Sequence, residues 1–227
     1  TQKIFSRILD GLILLVFLLF LSSAGFQDKM TSGWYQQWFP NLNGSTITDI
    51  TFLDSLTGFA VTSTNSSVQT YILKTTNSGD SWNIVYTYFP PSVNSGFTRI
   101  QFATDSLGYA STNYFDIFKT SNSGLNWAPI NTPWGGDDMA VINSDTILLA
   151  NYDQIMGGIH RTTNGGINWT RIWTNGSSGN PDKIYMYDKN LGFSCAGNSS
   201  SSIFYRTNDG GLNWTNLGDS TFSGIQF

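Results

Sequence analysis

The sequence predicts an all-β protein assembled from four-stranded repeats, and three observations predict it. A stretch beginning at Thr75 recurs at Thr120, Thr162 and Thr207, each time with Asn or Asp two residues on, Gly four residues on and Trp seven residues on. The four tryptophans, Trp82, Trp127, Trp169 and Trp214, stand 45, 42 and 45 residues apart, and a fixed period in that range marks a repeat architecture. Composition agrees, because a chain that is 11% charged and 15% aromatic with 23 Gly suits short strands joined by tight turns. Four short strands in about 40–45 residues is the pattern of a β-propeller blade.

The chain opens with Lys3 and Arg7 ahead of an apolar run at residues 12–21, followed by Ser22, Ser23, Ala24 and Gly25. A basic flank, a short hydrophobic centre and small residues describe a secretory signal peptide over residues 1–25; an uncleaved anchor is the alternative. The run is shorter than the ~20 apolar residues a spanning helix needs. The expected location is therefore secreted or in the cell envelope, with a membrane involved only through an uncleaved anchor.

Residues 26–45 form an N-terminal segment, within which residues 34–40, Trp-Tyr-Gln-Gln-Trp-Phe-Pro, read as one strand, the closing strand of an incomplete blade. Blades occupy residues 46–227. Three of the four units place a glycine, Gly58, Gly108 or Gly192, six residues after the last apolar residue of the first strand. It is expected to supply a positive φ in the first hairpin. The third unit has no such glycine. Third strands end at Lys74, Lys119, Arg161 and Arg206, and fourth strands leave from the tryptophans. Residues 222–227, Phe-Ser-Gly-Ile-Gln-Phe, match the start of another unit. The expectation is about four and a half blades of a six- or seven-bladed ring, incomplete at its C-terminus.

The repeated box is a structural turn first. Its Asn or Asp (Asn77, Asn122, Asn164, Asp209) can accept backbone hydrogen bonds of its own turn, and the threonine hydroxyl can add another. Gly79, Gly124, Gly166 and Gly211 permit positive φ, and each tryptophan removes roughly 150–250 Å² from water when buried. The spacing resembles the Asp-box, or bacterial neuraminidase repeat, with Thr207, Asp209, Gly211 and Trp214 matching it fully and Asn replacing Asp in the other three. Over residues 34–227 the chain looks most like the photosystem II assembly/stability factor family and related bacterial envelope proteins. That resemblance implies a propeller whose boxes are structural. It also implies an arginine-rich patch for a protein client, for which Lys74, Lys119, Arg161 and Arg206 are the matching candidates; stems lying along the next blade are the simpler use of these four.

Composition excludes several function classes. A net charge of −4 leaves no basic face for sequence-independent binding of nucleic acid. All 15 acidic residues are Asp, so the Tyr–Glu pair of a sialidase site, which the box family would imply, is absent. A two-carboxylate glycosidase needs acids about 5–9.5 Å apart across the sugar bond; Asp137 and Asp138 are adjacent in a loop, which does not oppose them. The box offers one acidic residue or none, against the several oxygen ligands and distal Glu of a calcium loop. No metal and no cofactor are expected. His160 fills a slot that holds Leu73, Phe118 and Tyr205 in the other units, and the single Cys195 reads as a small packed side chain.

If strands alternate in direction, the boxes share one face, and the other is built by second-to-third loops and blade-to-blade connections. Tyr114, Trp134, Tyr152 and Trp173 are the candidate binding residues of that second face, beside Phe89 and Asp137. The expected function is a secreted, non-catalytic propeller that binds a protein partner as an assembly scaffold. An exported glycoside hydrolase, sialidase- or xyloglucanase-like, or a glycan-binding propeller is the alternative.

Overall fold

The computed structural model describes residues 36–64, 69–92, 94–114, 116–132, 135–153, 157–173, 180–197 and 202–219. The leader at residues 1–25, Trp34 and the unit start at residues 222–227 lie outside them. Thr1–Gln36 and Gln37–Phe227 are separate units, and every described strand belongs to the second. Its first blade comprises β1 (Thr46–Phe52), β2 (Gly58–Ser63), β3 (Thr70–Thr75) and β4 (Asn83–Tyr88). The second holds β5 (Phe97–Phe102), β6 (Gly108–Thr112), β7 (Asp116–Thr120) and β8 (Ala128–Asn131). The third holds β9 (Asp138–Val141), β10 (Ile147–Asn151), β11 (Gly158–Thr162) and β12 (Thr170–Trp173), and the fourth β13 (Pro181–Met186), β14 (Gly192–Gly197), β15 (Ser202–Thr207) and β16 (Thr215–Asp219). Each blade is an antiparallel sheet in chain order. First strands adjoin from blade to blade, β1 beside β5, β5 beside β9 and β9 beside β13, so they form the inner wall of a partial β-propeller.

The first hairpins close on a side chain rather than on glycine. The Asp54 carboxylate accepts the Leu56 and Thr57 N–H groups, Asn143 accepts those of Asp145 and Thr146, and Asp188 those of Asn190 and Leu191. Gly58, Gly108 and Gly192 are absent from the positive-φ residues, which corrects the expectation drawn from their position. They are small for a different reason. Register pairs them with Phe52, Phe102 and Met186, and a Cβ on Gly58 or Gly108 would come within 2.7 or 2.6 Å of the paired ring. In the third blade the sizes are exchanged, with Ile147 opposite Val141.

The repeated turns share three hydrogen bonds. Thr75 donates its hydroxyl to Asn77 Oδ1 at 2.9 Å and accepts the N–H of Gly79 at 3.0 Å, while Asn77 Oδ1 accepts the Ser81 N–H at 3.0 Å. The same bonds recur at Thr120, Asn122 and Gly124, at Thr162, Asn164 and Gly166, and at Thr207, Asp209 and Gly211. The four glycines have φ between 73° and 92°. The last three also meet the preceding blade: a Cβ on Gly124 would collide with Phe59, one on Gly166 with Ile130, and one on Gly211 would lie 2.7 Å from Leu148. Trp127 sits against Phe59 in the same joint, with ring centroids 6.4 Å apart. Trp169 packs beside Tyr109 and Ile117 of blade two, and Trp214 beside Leu148 and Ile159 of blade three. The core is thus a series of joints between blades.

No blade precedes the first one among the described residues, and the N-terminal segment covers part of its exposed face instead. Phe39 stacks on Trp82 with centroids 5.3 Å apart, and Leu42 joins it against Tyr71 and Leu73. Residues 36–40 form no strand, so the described part of the expected closing strand works as a face cover and not as an edge. Inner positions on that face stay open: Ile50 is 51% exposed, whereas its equivalents Ile100 and Ile184 are 1% and 2% exposed.

The exchange of sizes in the first hairpins is testable. Gly108→Ile is expected to destabilise the chain by about 1–3 kcal/mol through overpacking against Phe102. Adding Phe102→Val, which copies the Val141–Ile147 pair, should recover at least half of the loss in urea denaturation.

Candidate functional site

Two places bring chemistry-bearing residues together: the inner wall and the loop face opposite the boxes. On the inner wall, register places Asp49, Arg99, Asp138 and Lys183 at one equivalent position in four successive blades, opposite Val61, Ser111, Ala150 and Cys195. Their charges alternate. Arg99 Nε lies 3.0 Å from Asp138 Oδ1 and 3.8 Å from Asp49 Oδ2. Each carboxylate also reaches into the next blade, Asp49 accepting the Ile100 N–H at 2.9 Å and Asp138 the Ile184 N–H at 3.0 Å. Gln101 Oε1 accepts the Val141 N–H, and the hydroxyls of Thr48 and Thr98 donate to the carbonyls of Phe97 and Gly136. This cluster therefore fastens blades.

Burial pushes the Asp138 carboxyl up, against the opposing pull of the Ile184 N–H, Arg99, the Met139 N–H and Lys183, and it pushes Asp182 up as well. The Cys195 thiol is pushed up to about 11, by burial first and Asp182 second. At neutral pH it is a protonated thiol, without the thiolate character of an activated cysteine. Asp137, which the sequence sets beside Asp138, turns away to accept the Tyr152 N–H at 2.7 Å. The two neighbouring carboxylates are thus committed to different backbone partners and do not face one substrate. His160 is fully buried opposite Leu149. Among the described residues no group of three or more His, Cys, Asp or Glu side chains is placed to hold a metal ion.

The loop face is built as the strand directions require. Asn113, after β6, accepts the Gly96 N–H and donates to the Asn94 carbonyl of the first blade-to-blade connection. Gly136 donates to the Thr112 carbonyl, and the backbone of Tyr114 presses so closely on Gly135 that a Cβ there would collide with its carbonyl oxygen. Asn151 donates to the Gly135 carbonyl and Asn180 to that of Asp153. Loops and connections are therefore braced against each other. On this braced surface Phe89 is 62% exposed and Tyr152 39% exposed, while Tyr114 is half-buried. Tyr88 spans from β4 to Asp116 in blade two through a short hydrogen bond. Trp173 lies in a joint, its ring centroid 4.3 Å from that of Tyr205; Trp134 lies outside the described residues. Neither the exposure of Phe89 nor the bracing asparagines carries a spacing signal in the sequence.

The four basic residues before the boxes are spent in different ways. Lys74 donates to the Ser123 carbonyl in the next blade's turn at 2.7 Å, with its ammonium 5.3 Å from the Phe59 ring centroid. Lys119 lies 5.4 Å from the Tyr109 centroid and points toward the next turn at Gly165. Arg206 donates to Asn208 within its own turn, and Arg161 has a buried Nε. The first two are blade clasps, with stems lying on apolar rings as long cationic side chains do.

No family model and no curated protein matches the chain. Solved structures do. YCF48 bound to D1 peptide superposes with a TM-score of 0.64 at 16% identity over 85% of this chain and 59% of that one. YCF48 from Cyanidioschyzon merolae gives 0.62 at 18% identity over 84% and 61%. The GH74 enzyme of Niastella koreensis gives 0.63 at 18% identity over 79% and 32%. These likenesses establish the propeller fold, and the chain spans less than two thirds of the length of each of these structures.

Two substitutions separate clasping from binding and charge from shape. Lys74→Met should lower stability by about 1 kcal/mol through loss of the charged hydrogen bond to Ser123, read as a fall in melting temperature. Asp209 is the one acidic residue in the four turns' Asn/Asp position, and hydrogen bonds from the Asn213 side chain and backbone hold its carboxyl down at about 2. An unfolded Asp titrates near about 3.9, so this turn's ionic contribution is complete above that value and lost as pH falls through about 2. Burial shifts Asp138 and Asp182 the opposite way, so the comparison is made against Asp209→Asn: the native chain should lose more melting temperature than the variant between about pH 4 and pH 2.

Proposed function

We propose that this chain is a non-catalytic β-propeller that binds a protein partner as an assembly scaffold, similar in kind to photosystem II assembly factor-like proteins. The observation that carries the proposal is the braced loop face, where Phe89 and Tyr152 stay exposed on connections that neighbouring loops hold in place. Aromatic side chains on a preorganised surface lose little conformational freedom on binding and are typical anchors of protein interfaces. The inner-wall carboxylates, in contrast, are engaged by backbone N–H groups and Arg99. Similarity to a YCF48 structure that holds a D1 peptide supports peptide binding by a propeller of this shape. The reading of the four turns as Asp-boxes rests on their spacing and on their shared hydrogen bonds. The leader at residues 1–25 supports export to the envelope or beyond.

A second reading, a glycan-binding or glycan-cleaving propeller, is favoured by the similarity to GH74 enzymes, since exposed aromatic rings also stack on sugars. A peptide array and a glycan array probed with the same chain separate the two. Peptide binding is expected, weakened about tenfold by Phe89→Ala or Tyr152→Ala, the ~1.4 kcal/mol typical of an interface anchor, with melting temperature unchanged. Glycan retention or release of reducing sugar, without peptide binding, would select the second reading.

A further inference from the structure

Charge is divided unevenly between the loop face and the face of the boxes. The connections that join strands at the loop face, residues 64–69, 89–96, 113–115, 132–137, 152–157, 174–180 and 198–201, contain no Lys or Arg. All eight cations of residues 46–227 lie within strands or, for Lys189, in a first-hairpin turn on the opposite face. Carboxylates do occur at the loop face. Asp137 and Asp153 are in connections, and Asp116, Asp138 and Asp182 stand at or next to the starts of β7, β9 and β13, which begin there.

Two of these acids are spent on the fold. Asp116 takes the Tyr88 hydroxyl, and Asp138 is buried against Arg99 and the Ile184 N–H. The other three gather around Tyr152. Asp137 is half-buried and accepts the Tyr152 N–H at 2.7 Å, Asp153 is the next residue along and exposed, and the Asp153 carbonyl accepts the side chain of Asn180 at 2.6 Å, two residues before Asp182. Asp182 itself is half-buried in the bulge that opens β13. Burial first, with Asp137 and Asp138 after it, pushes its carboxyl up against the pull of Lys183, so like charges are gathered at this seam. The ring among them, Tyr152, is 39% exposed. On the opposite face, by contrast, Asp54, Asp188 and Asp209 each accept N–H groups of their own turns.

We propose that the loop face around Tyr152 takes an Arg- or Lys-bearing segment of its protein partner, a cationic side chain lying on the Tyr152 ring with its N–H groups toward Asp137, Asp153 and Asp182. The inference rests on the protein-binding reading above and adds the partner's charge. An aromatic face beside carboxylates suits a guanidinium, which offers a flat cation to the ring and a fork of donors to the oxygens. An anionic segment would meet like charge without a cation in any connection to relieve it, and such juxtaposition costs affinity. The occupant is thus identified by charge complementarity on a surface whose loops are already held in place.

The test is a random-sequence peptide array probed with the full chain, followed by titration of the tightest peptide and of its copy with every Arg and Lys changed to Gln. Bound peptides should be enriched in Arg and Lys, and the Gln copy should bind about tenfold more weakly at about 0.1 M salt. That gap should close to about twofold near 1 M, where the screening length falls from about 10 to about 3 Å. Asp153→Asn combined with Asp182→Asn should weaken the cationic peptide about tenfold with melting temperature retained. Asp105→Asn combined with Asp145→Asn removes the same charge from exposed turns on the opposite face and should leave binding unchanged. Equal losses from the two pairs would overturn the proposal by reducing the preference to net charge. Array binding without cationic enrichment, or a Gln copy that binds equally well, would overturn it while leaving the protein-binding reading intact. An array with no bound peptide would overturn that reading and the proposal with it.

Discussion

Each joint in this propeller depends on the approach of one turn to the blade before it. The glycine four residues after the box threonine serves two demands at once, a left-handed φ and, in the last three boxes, the absence of a Cβ where Phe59, Ile130 or Leu148 comes close. Losing either condition would push the following tryptophan off the preceding blade, and with it the apolar core, because the core lies between blades and not within them. In an architecture of this kind stability is approximately a sum over nearest-neighbour interfaces. A fault in one joint is local in position and global in effect.

The inner wall secures the opposite end of each joint by polar means. Side chains there bond backbone groups of the next blade, so these bonds fix the register in which the apolar residues interlock. Alternation of charge adds selectivity: placing blade one beside blade three would bring Asp49 against Asp138 and lose the pairing through Arg99, and like charges in contact are penalised. Charge at this position is thus used for alignment between blades.

Much of this was legible in the sequence because it depends on short, fixed spacings. Thr, Asn or Asp, Gly and Trp must sit at set intervals to make one turn, and the strand order followed from counting those turns. What depended on partners across strands was hidden. Gly58 looks like a turn glycine until Phe52 is placed over it, and Ile147 looks like an exception until it is paired with Val141. The inner-wall ladder escaped notice because Asp49, Arg99, Asp138 and Lys183 share a position and no chemical type. Trp173 ends a strand and Tyr152 follows one, and only the packing of Trp173 on Tyr205 separates a joint residue from a surface one.

The joints also have a direction. Each blade's turn and inner strand press backward onto a blade encoded earlier in the chain, and blade one presses onto Phe39 and Leu42, encoded earlier still. A chain emerging from the ribosome would therefore find the receiving surfaces for blades two to four finished before the elements that need them appear. None of the four blades would have to wait with its tryptophan exposed for a partner not yet made. Such an order suits vectorial folding, in which each new blade is covered on arrival by the one before it.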